Sequence, residues 1–342
     1  MRNSQHSPLR RWIKRALLAA GALVLIGVGW FAWMVNRPRT CAVEAPGPSG
    51  VRVGEAGLLA NYFPARTGRP GPAVLVIGGS EGGLSRNAKR DALALQTAGF
   101  NALQVAYHCA PGKPNGLVRV PLETFGQALD WLKRRPEVDP NALGVVGYSK
   151  GAEAALLVAS RRSDVRAVAA GMPSSVAWDA IGFTSMVFKG ARSSWTEQGR
   201  DVPSLPYGSM SSSRGETYGF HANGLKNLTE HRNALIPVGR IDAPVLLACG
   251  DLDRVWPACD MAGQVASGLA RAGHPAPTLL RYPRGGHGVF GSPYPAGDKG
   301  ARQWGSMGGT PDNNSAARRD GWPKVVAFLN SYLTPRLEPG QK

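Results

Sequence analysis

A serine framed by glycines at the end of an apolar run is where residue types and spacing in this sequence first imply chemistry. In Leu143-Gly-Val-Val-Gly147-Tyr148-Ser149-Lys150-Gly151-Ala-Glu-Ala-Ala-Leu-Leu-Val-Ala, a strand pattern enters G-x-S-x-G and passes directly into an alanine-rich helical pattern. That is the context of a nucleophile elbow. The serine sits on a strained turn, Gly147 and Gly151 keep side chains out of the strand–helix crossing, and the hydroxyl stands at the positive end of the helix. A second G-x-S-x-G, Gly78-Gly79-Ser80-Glu81-Gly82, follows Val74-Leu-Val-Ile but leads into Gly83-Leu-Ser-Arg with no immediate helix. It fits a glycine-rich loop whose backbone helps to stabilise an oxyanion. Ser149 is therefore the expected nucleophile, with the Ser80 and Glu81 backbone and the Lys150 N–H as oxyanion donors.

A serine at its ordinary pKa needs a base, and the base needs an orienting acid. Of six histidines, His287 lies in Tyr282-Pro-Arg-Gly-Gly-His-Gly after the last apolar run, where glycines let a loop turn the imidazole over a sheet edge. His287 also completes the chain order nucleophile, acid, base. His6 precedes a long apolar run, His221 and His231 fall in a polar insertion, His274 follows a helix end, and His108 reads as a loop histidine after a strand. For the acid, Val245–Cys249 ends in Gly250-Asp251-Leu252-Asp253-Arg254-Val255-Trp256. Both aspartates leave the carboxyl end of a strand, and the pattern does not separate them; Asp260 reads as the start of the next helix.

The elements that must hold these residues alternate. Apolar runs at Leu58–Phe63, Ala73–Ile77, Ala102–Ala106, Leu143–Tyr148, Ala167–Ala170, Val245–Cys249 and Thr278–Tyr282 predict strands, several buried on both faces. Amphipathic patterns at Asn87–Ala98, Leu122–Arg134, Ala152–Ser160, Asp260–Ala272 and Ala317–Tyr332 predict helices. The fold class is α/β, a doubly wound, mostly parallel sheet over residues 55–335, with a 336–342 tail. Residues 183–241, polar and without sustained periodicity, break the rhythm and read as a lid over the site.

Net charge is +17, yet seven basic residues and no acid lie in residues 1–39, leaving +10 for the rest. Within that segment 16–35 is a charge-free run long enough to span a bilayer, with Trp30 and Trp33 at its far end. It reads as a single-pass signal anchor, with a cleaved signal as the alternative that the Trp33-Met-Val-Asn-Arg-Pro-Arg39 junction, lacking an A-x-A site, disfavours. A basic cytoplasmic segment, 1–15, precedes it and a Pro/Gly-rich linker, 36–54, follows. The excess of basic residues before it predicts a catalytic domain outside the cytoplasm, on the periplasmic side of an inner membrane. Because part of the charge is an orientation signal and no basic–aromatic stripe accompanies the remaining +10, nucleic acid is not an expected partner. A hydrophobic share of 43% excludes general disorder. Cys249 and Cys259 could approach each other around one loop; metal-ligand spacings do not occur, so no metal or cofactor is expected.

Taken together, Val76-Ile-Gly-Gly-Ser-Glu-Gly-Gly, Gly147-Tyr-Ser-Lys-Gly-Ala-Glu, Met172-Pro-Ser-Ser-Val-Ala-Trp178, Gly250-Asp-Leu-Asp-Arg-Val-Trp256 and Gly308-Gly-Thr-Pro-Asp resemble one family. It is the C-terminal catalytic domain of the acyl-CoA thioesterases and bile acid-CoA:amino acid N-acyltransferases. The resemblance covers roughly residues 55 to 335 and implies an α/β-hydrolase fold, with nucleophile Ser149, base His287 and acid Asp253, the aspartate three residues before the tryptophan. Acyltransferase members carry cysteine at the nucleophile, so serine favours hydrolysis. Family thioesterases carry a β-sandwich before this domain, where residues 1–54 here read as anchor and tether. The expected activity is hydrolysis of an ester or thioester through an acyl-enzyme. An acyltransferase on the same triad and a non-catalytic membrane-tethered interaction protein are the alternatives.

Overall fold

The structure, a computed structural model, describes residues 8–36, 41–55, 57–181, 192–295 and 297–334. The chain divides into two units, Met1–Arg39 and Thr40–Lys342. In the first, α1 (Pro8–Asn36) contains the charge-free run. Its stretch Trp12–Phe31 has a mean hydropathy of 1.6 and is nowhere buried within the protein, so it is long and apolar enough to cross a membrane.

The second unit is built on β1 (Val51–Glu55), β2 (Leu58–Phe63), β3 (Gly71–Ile77), β4 (Asn101–Ala106), β6 (Val138–Tyr148), β7 (Val165–Gly171), β10 (Val245–Gly250) and β11 (Thr278–Tyr282). They form one sheet in the order β1-β2-β4-β3-β6-β7-β10-β11. The pairs β1·β2 and β2·β4 are antiparallel, and all others are parallel. The central strands are buried along most of their length, which is why their sequences are near-continuous Val, Leu and Ala. Three short strands, β5 (Val120–Pro121), β8 (Trp195–Glu197) and β9 (Arg200–Asp201), make a second sheet.

Helices α2 (Arg86–Thr97), α3 (Glu123–Lys133), α4 (Lys150–Ala159), α6 (Ala258–Arg271) and α8 (Pro311–Leu333) pack on the main sheet; α5 (Glu216–Leu225) and α7 (Lys299–Gln303) lie in loop regions. Helix α4 is buried at all ten positions, and its small side chains allow that. Helix α2 starts at Ser85, which accepts the Ala88 N–H, and α8 at Thr310, which accepts the Asn313 N–H ahead of a proline in the first turn. The parallel registers align the carboxyl ends of β3, β6, β10 and β11, so the loops after them share one edge.

All seven predicted strands are found, and the differences lie elsewhere. The segment predicted as a linker, 36–54, is part of the fold from Cys41 onward. Val43 bridges to Leu84, β1 occupies Val51–Glu55, and a Cys41–Cys109 disulfide ties the segment to the loop after β4. Its Pro and Gly content suggested a tether because a two-stranded edge with one buried residue has almost no periodicity to display. The Cys249–Cys259 bridge forms around one loop, so all four cysteines are paired.

Within the predicted lid, residues 183–191 lie outside the described residues, but from Arg192 on the segment is structured. It contributes Trp195, Leu205 and Ile236 to the core. Isolated bridges and aromatic contacts hold it rather than long ladders, which accounts for the missing periodicity. Residues 1–7 of the predicted cytoplasmic segment and the tail 336–342 are also outside the described residues.

The bridges differ in the chain they close, with sequence separations of 68 and 10. Loop-closure entropy then gives about 4 kcal/mol for Cys41–Cys109 and about 3 kcal/mol for Cys249–Cys259. A Cys41→Ser/Cys109→Ser protein should therefore melt below a Cys249→Ser/Cys259→Ser protein in calorimetry. The reverse order would show that the 41–55 segment adds little to the fold.

Candidate active site

Ser149 lies between β6 and α4 with φ 55° and ψ −125°, a left-handed conformation that L side chains avoid at a cost of about 1–3 kcal/mol. The turn is over-determined. The Ser149 N–H donates to the Gly171 carbonyl (2.9 Å), and the Ser149 carbonyl accepts from the N–H groups of Ala152 (2.9 Å) and Glu153 (3.2 Å). Both flanking glycines are required by space: a Cβ on Gly147 would lie 2.2 Å from the Gly151 carbonyl oxygen, and one on Gly151 2.2 Å from that of Ile77.

His287 Nε2 is 2.9 Å from Ser149 Oγ, and His287 Nδ1 is 2.7 Å from Asp253 Oδ2. Ser149, His287 and Asp253 are 8%, 2% and 1% exposed, so the three groups meet almost out of water. With Nδ1–H donating to the carboxylate, Nε2 is left to accept the serine proton, the arrangement a general base requires. The other Asp253 oxygen accepts from the N–H groups of Val255 (2.7 Å) and Trp256 (3.1 Å). The structure separates the two aspartates that the pattern left together: Asp251 pairs outward with Arg281 Nε at 2.8 Å. Asp260 sits in the first turn of α6, and His108 is buried beside Tyr107 away from the serine's cavity.

A cavity of ≈ 630 Å³ opens over Ser149 and His287, with Ser80, Glu81, Tyr148, Thr217 and Trp304 in its wall. Ser80 and Glu81 thus stand beside the serine, and the Lys150 N–H belongs to the first turn of α4, where backbone donors have no intrahelical acceptor. Thr217 comes from α5, so the insertion reaches the cavity. Among the described residues no cluster of His, Cys, Asp or Glu could hold a metal ion.

Several contributors were not legible as motifs. The Glu81 carboxylate accepts the hydroxyls of Tyr148 and Ser85, tying the glycine-rich loop to the residue before Ser149. The buried amide of Asn314 accepts the Gly286 N–H (2.7 Å) and donates to the Gly308 carbonyl (3.0 Å). Gly308, at φ 102°, lies so close that its Cβ would meet the Leu252 carbonyl oxygen at 1.9 Å. The Met307 carbonyl accepts the N–H groups of both Arg254 (3.0 Å) and His287 (3.2 Å). Gly308-Gly-Thr-Pro-Asp is therefore a wedge joining the loop of the carboxylate to that of the imidazole. Arg318, through the carbonyls of Gly288 and Ser292, pins the segment that follows.

A series of ring contacts, stacked between Trp178 and Tyr207 and edge-to-face beyond, runs on through His221 and Trp256 to His287. His221 Nδ1 donates to the Thr217 carbonyl at 2.7 Å. Burial lowers its pKa to about 4; the Thr217 bond opposes this and the Lys150 charge adds to it. Its folded pKa lies below its unfolded one, so the unfolded chain binds the proton first and stability falls as pH drops from about 6.5 towards 4. His221→Gln, which retains a donor, should flatten that fall by roughly 3 kcal/mol in urea titrations at stepped pH. Parallel curves for the two proteins would show that the ring is not held neutral.

Comparison with known proteins gives a match over residues 120–335 to the family described as "BAAT / Acyl-CoA thioester hydrolase C terminal". The chain is 26% identical over 300 residues to acyl-coenzyme A thioesterase 1 of Rattus norvegicus, covering 84% of this chain and 66% of that protein. It is 26% identical over 293 residues to the mitochondrial acyl-coenzyme A thioesterase 2 of Mus musculus, covering 84% and 61%. The chain thus spans somewhat less than two thirds of these relatives. Among solved structures, it resembles a Mycobacterium tuberculosis puromycin-hydrolyzing peptidase, with TM-score 0.53 and 19% identity over 82% of this chain and 39% of that one. The Pyrococcus horikoshii acylaminoacyl peptidase gives TM-score 0.52 and 15% identity over 83% and 41%. At such identities the likeness shows the fold, an α/β hydrolase with a mostly parallel central sheet.

Proposed function

This chain belongs to the BAAT / acyl-CoA thioester hydrolase C-terminal family, and from that premise we propose that it hydrolyses an acyl ester or thioester through a serine acyl-enzyme. The observation that carries this reading is the continuous chain from Ser149 Oγ through the His287 imidazole to the Asp253 carboxylate. His287 Nε2 takes the Ser149 proton as Oγ attacks the acyl carbon, and Asp253 stabilises the imidazolium. The N–H groups of Lys150 and of the Ser80–Glu81 loop receive the oxyanion. As the carbon–sulfur or carbon–oxygen bond breaks, His287 returns the proton to the departing thiolate or alkoxide. Water then repeats the sequence on the acyl-enzyme, releasing the acid and regenerating the serine.

Residues 16–35 anchor the protein in a bilayer, and the domain that follows works outside the cytoplasm. Two disulfides in that domain and the basic residues ahead of the run support this orientation. The insertion containing Thr217 acts as a cap over the acyl group.

A fluorophosphonate probe should label the wild-type serine and leave Ser149→Ala unlabelled, while the wild type releases free thiol from acyl-CoA or alcohol from simple esters. Equal labelling of both proteins would remove Ser149 as the nucleophile. A C-terminal reporter active only in the cytoplasm would overturn the orientation.

A further inference from the structure

Arg254 follows Asp253 directly and lines two depressions: the cavity over Ser149, and an adjoining groove of ≈ 360 Å³ whose wall includes Arg214, Leu252, Gly305, Gly308 and Thr310. No carboxylate lines that groove. Neither arginine forms an ion pair among the described residues, whereas the nearby Arg281 is paired with Asp251. Arg214 lies over the Tyr218 ring, 5.0 Å from its centroid, and donates to the Asp251 backbone carbonyl at 3.3 Å, which directs it to the same loop. The carboxylate in the main cavity, Glu81, already receives the Tyr148 and Ser85 hydroxyls.

The groove has a definite side. The Arg254 and His287 N–H groups meet on one acceptor, the Met307 carbonyl, and Gly305 and Gly308 flank that residue. The Arg254 end of the cavity is therefore next to the imidazole that protonates the leaving group. Ser80, Glu81 and Lys150 are the oxyanion donors and belong to other loops. Two unpaired guanidiniums on the leaving-group side, backed by a rigid glycine wedge, suit a doubly charged oxyanion accepted by forked N–H donors.

We propose that Arg254 and Arg214 form a subsite for a phosphate monoester on the alcohol or thiol half of the substrate; its assignment to that half rests on the hydrolase reading above. The phosphate would belong to a phosphorylated thiol carrier or to a lipid headgroup. Calorimetric binding to the full chain in detergent tests this without turnover, using phosphopantetheine and glycerol 3-phosphate, each beside its dephosphorylated form. At least one phosphorylated probe should bind about tenfold or more tightly than its neutral partner, as a charge-assisted contact gives. Arg254→Gln/Arg214→Gln should erase the difference, and Arg254→Lys should retain part of it. The probe that shows the preference identifies the source of the phosphate. Equal affinity of both pairs for the wild type, or an undiminished preference in the double variant, would overturn the subsite. Loss of turnover with the preference intact would instead count against the hydrolase reading alone.

Discussion

Ser149→Ala and His287→Ala should each lower kcat by roughly 10⁶-fold, and the double variant should be no slower than either, because the residues act as one unit. Asp253→Asn should cost roughly 10⁴-fold, since an amide can donate where the carboxylate accepts and so favours the wrong imidazole tautomer. Asp251→Asn is the internal control. Two residues away, its side chain pairs with the exposed Arg281, and its loss should leave kcat nearly unchanged. Single-turnover acylation and steady-state hydrolysis of a thioester, measured side by side, read all five variants. Additive losses in the double variant would separate the serine from the histidine mechanistically. An Asp251→Asn effect as large as that of Asp253→Asn would mean that the acid has been misassigned.

Glu153→Ala should be the most destabilising single change near the site. The Glu153 carboxylate is fully buried and accepts from Lys150 Nζ (2.9 and 2.8 Å), the Trp178 N–H (3.0 Å) and Trp195 Nε1 (2.6 Å). Burial lowers the pKa of Lys150, and Glu153 chiefly opposes that shift, with Asp179 adding to the opposition. Removing the carboxylate strands an ammonium and two N–H donors without water, a loss of about 3–5 kcal/mol for the broken pair. That would lower Tm by on the order of 10 °C in a domain of this size. Replacing both partners, Lys150→Met/Glu153→Gln, should recover much of the loss, because a buried pair is costly to break and nearly neutral to replace. Similar melting of the single and double variants would show that the pair adds stability by attraction, beyond satisfying its own burial.

The sheet was readable in advance because its central strands are buried on both faces. Continuous Val, Leu and Ala at Ala73–Ile77 or Val245–Cys249 leaves few alternatives. The elbow was readable for a steric reason, since only glycine fits where a Cβ would meet a carbonyl oxygen at 2.2 Å. The choice between Asp251 and Asp253 was not a matter of local pattern; it depends on which carboxylate the loop turns inward. The Val255 and Trp256 N–H groups just after it hold the Asp253 carboxylate, and the tertiary wedge at Gly308 fixes the loop that carries it. β1 and the insertion were hidden for a related reason. Their order comes from a disulfide, isolated bridges and stacked rings, which leave no period in the sequence.

The wedge at Met307–Thr310 also sets a schedule. Ser149 can be placed on its turn once β3, β6 and β7 have paired, all within the first half of the chain. Asp253 and His287 bond directly, but Met307, Gly308 and Asn314, which further join their two loops, are synthesised later than every strand of the sheet. Because chains fold progressively as they emerge, the serine waits without its base while residues 150–286 are being made. A nascent chain that ends before Met307 would hold Ser149, Asp253 and His287 but lack the contacts that lock the loops of Asp253 and His287 together.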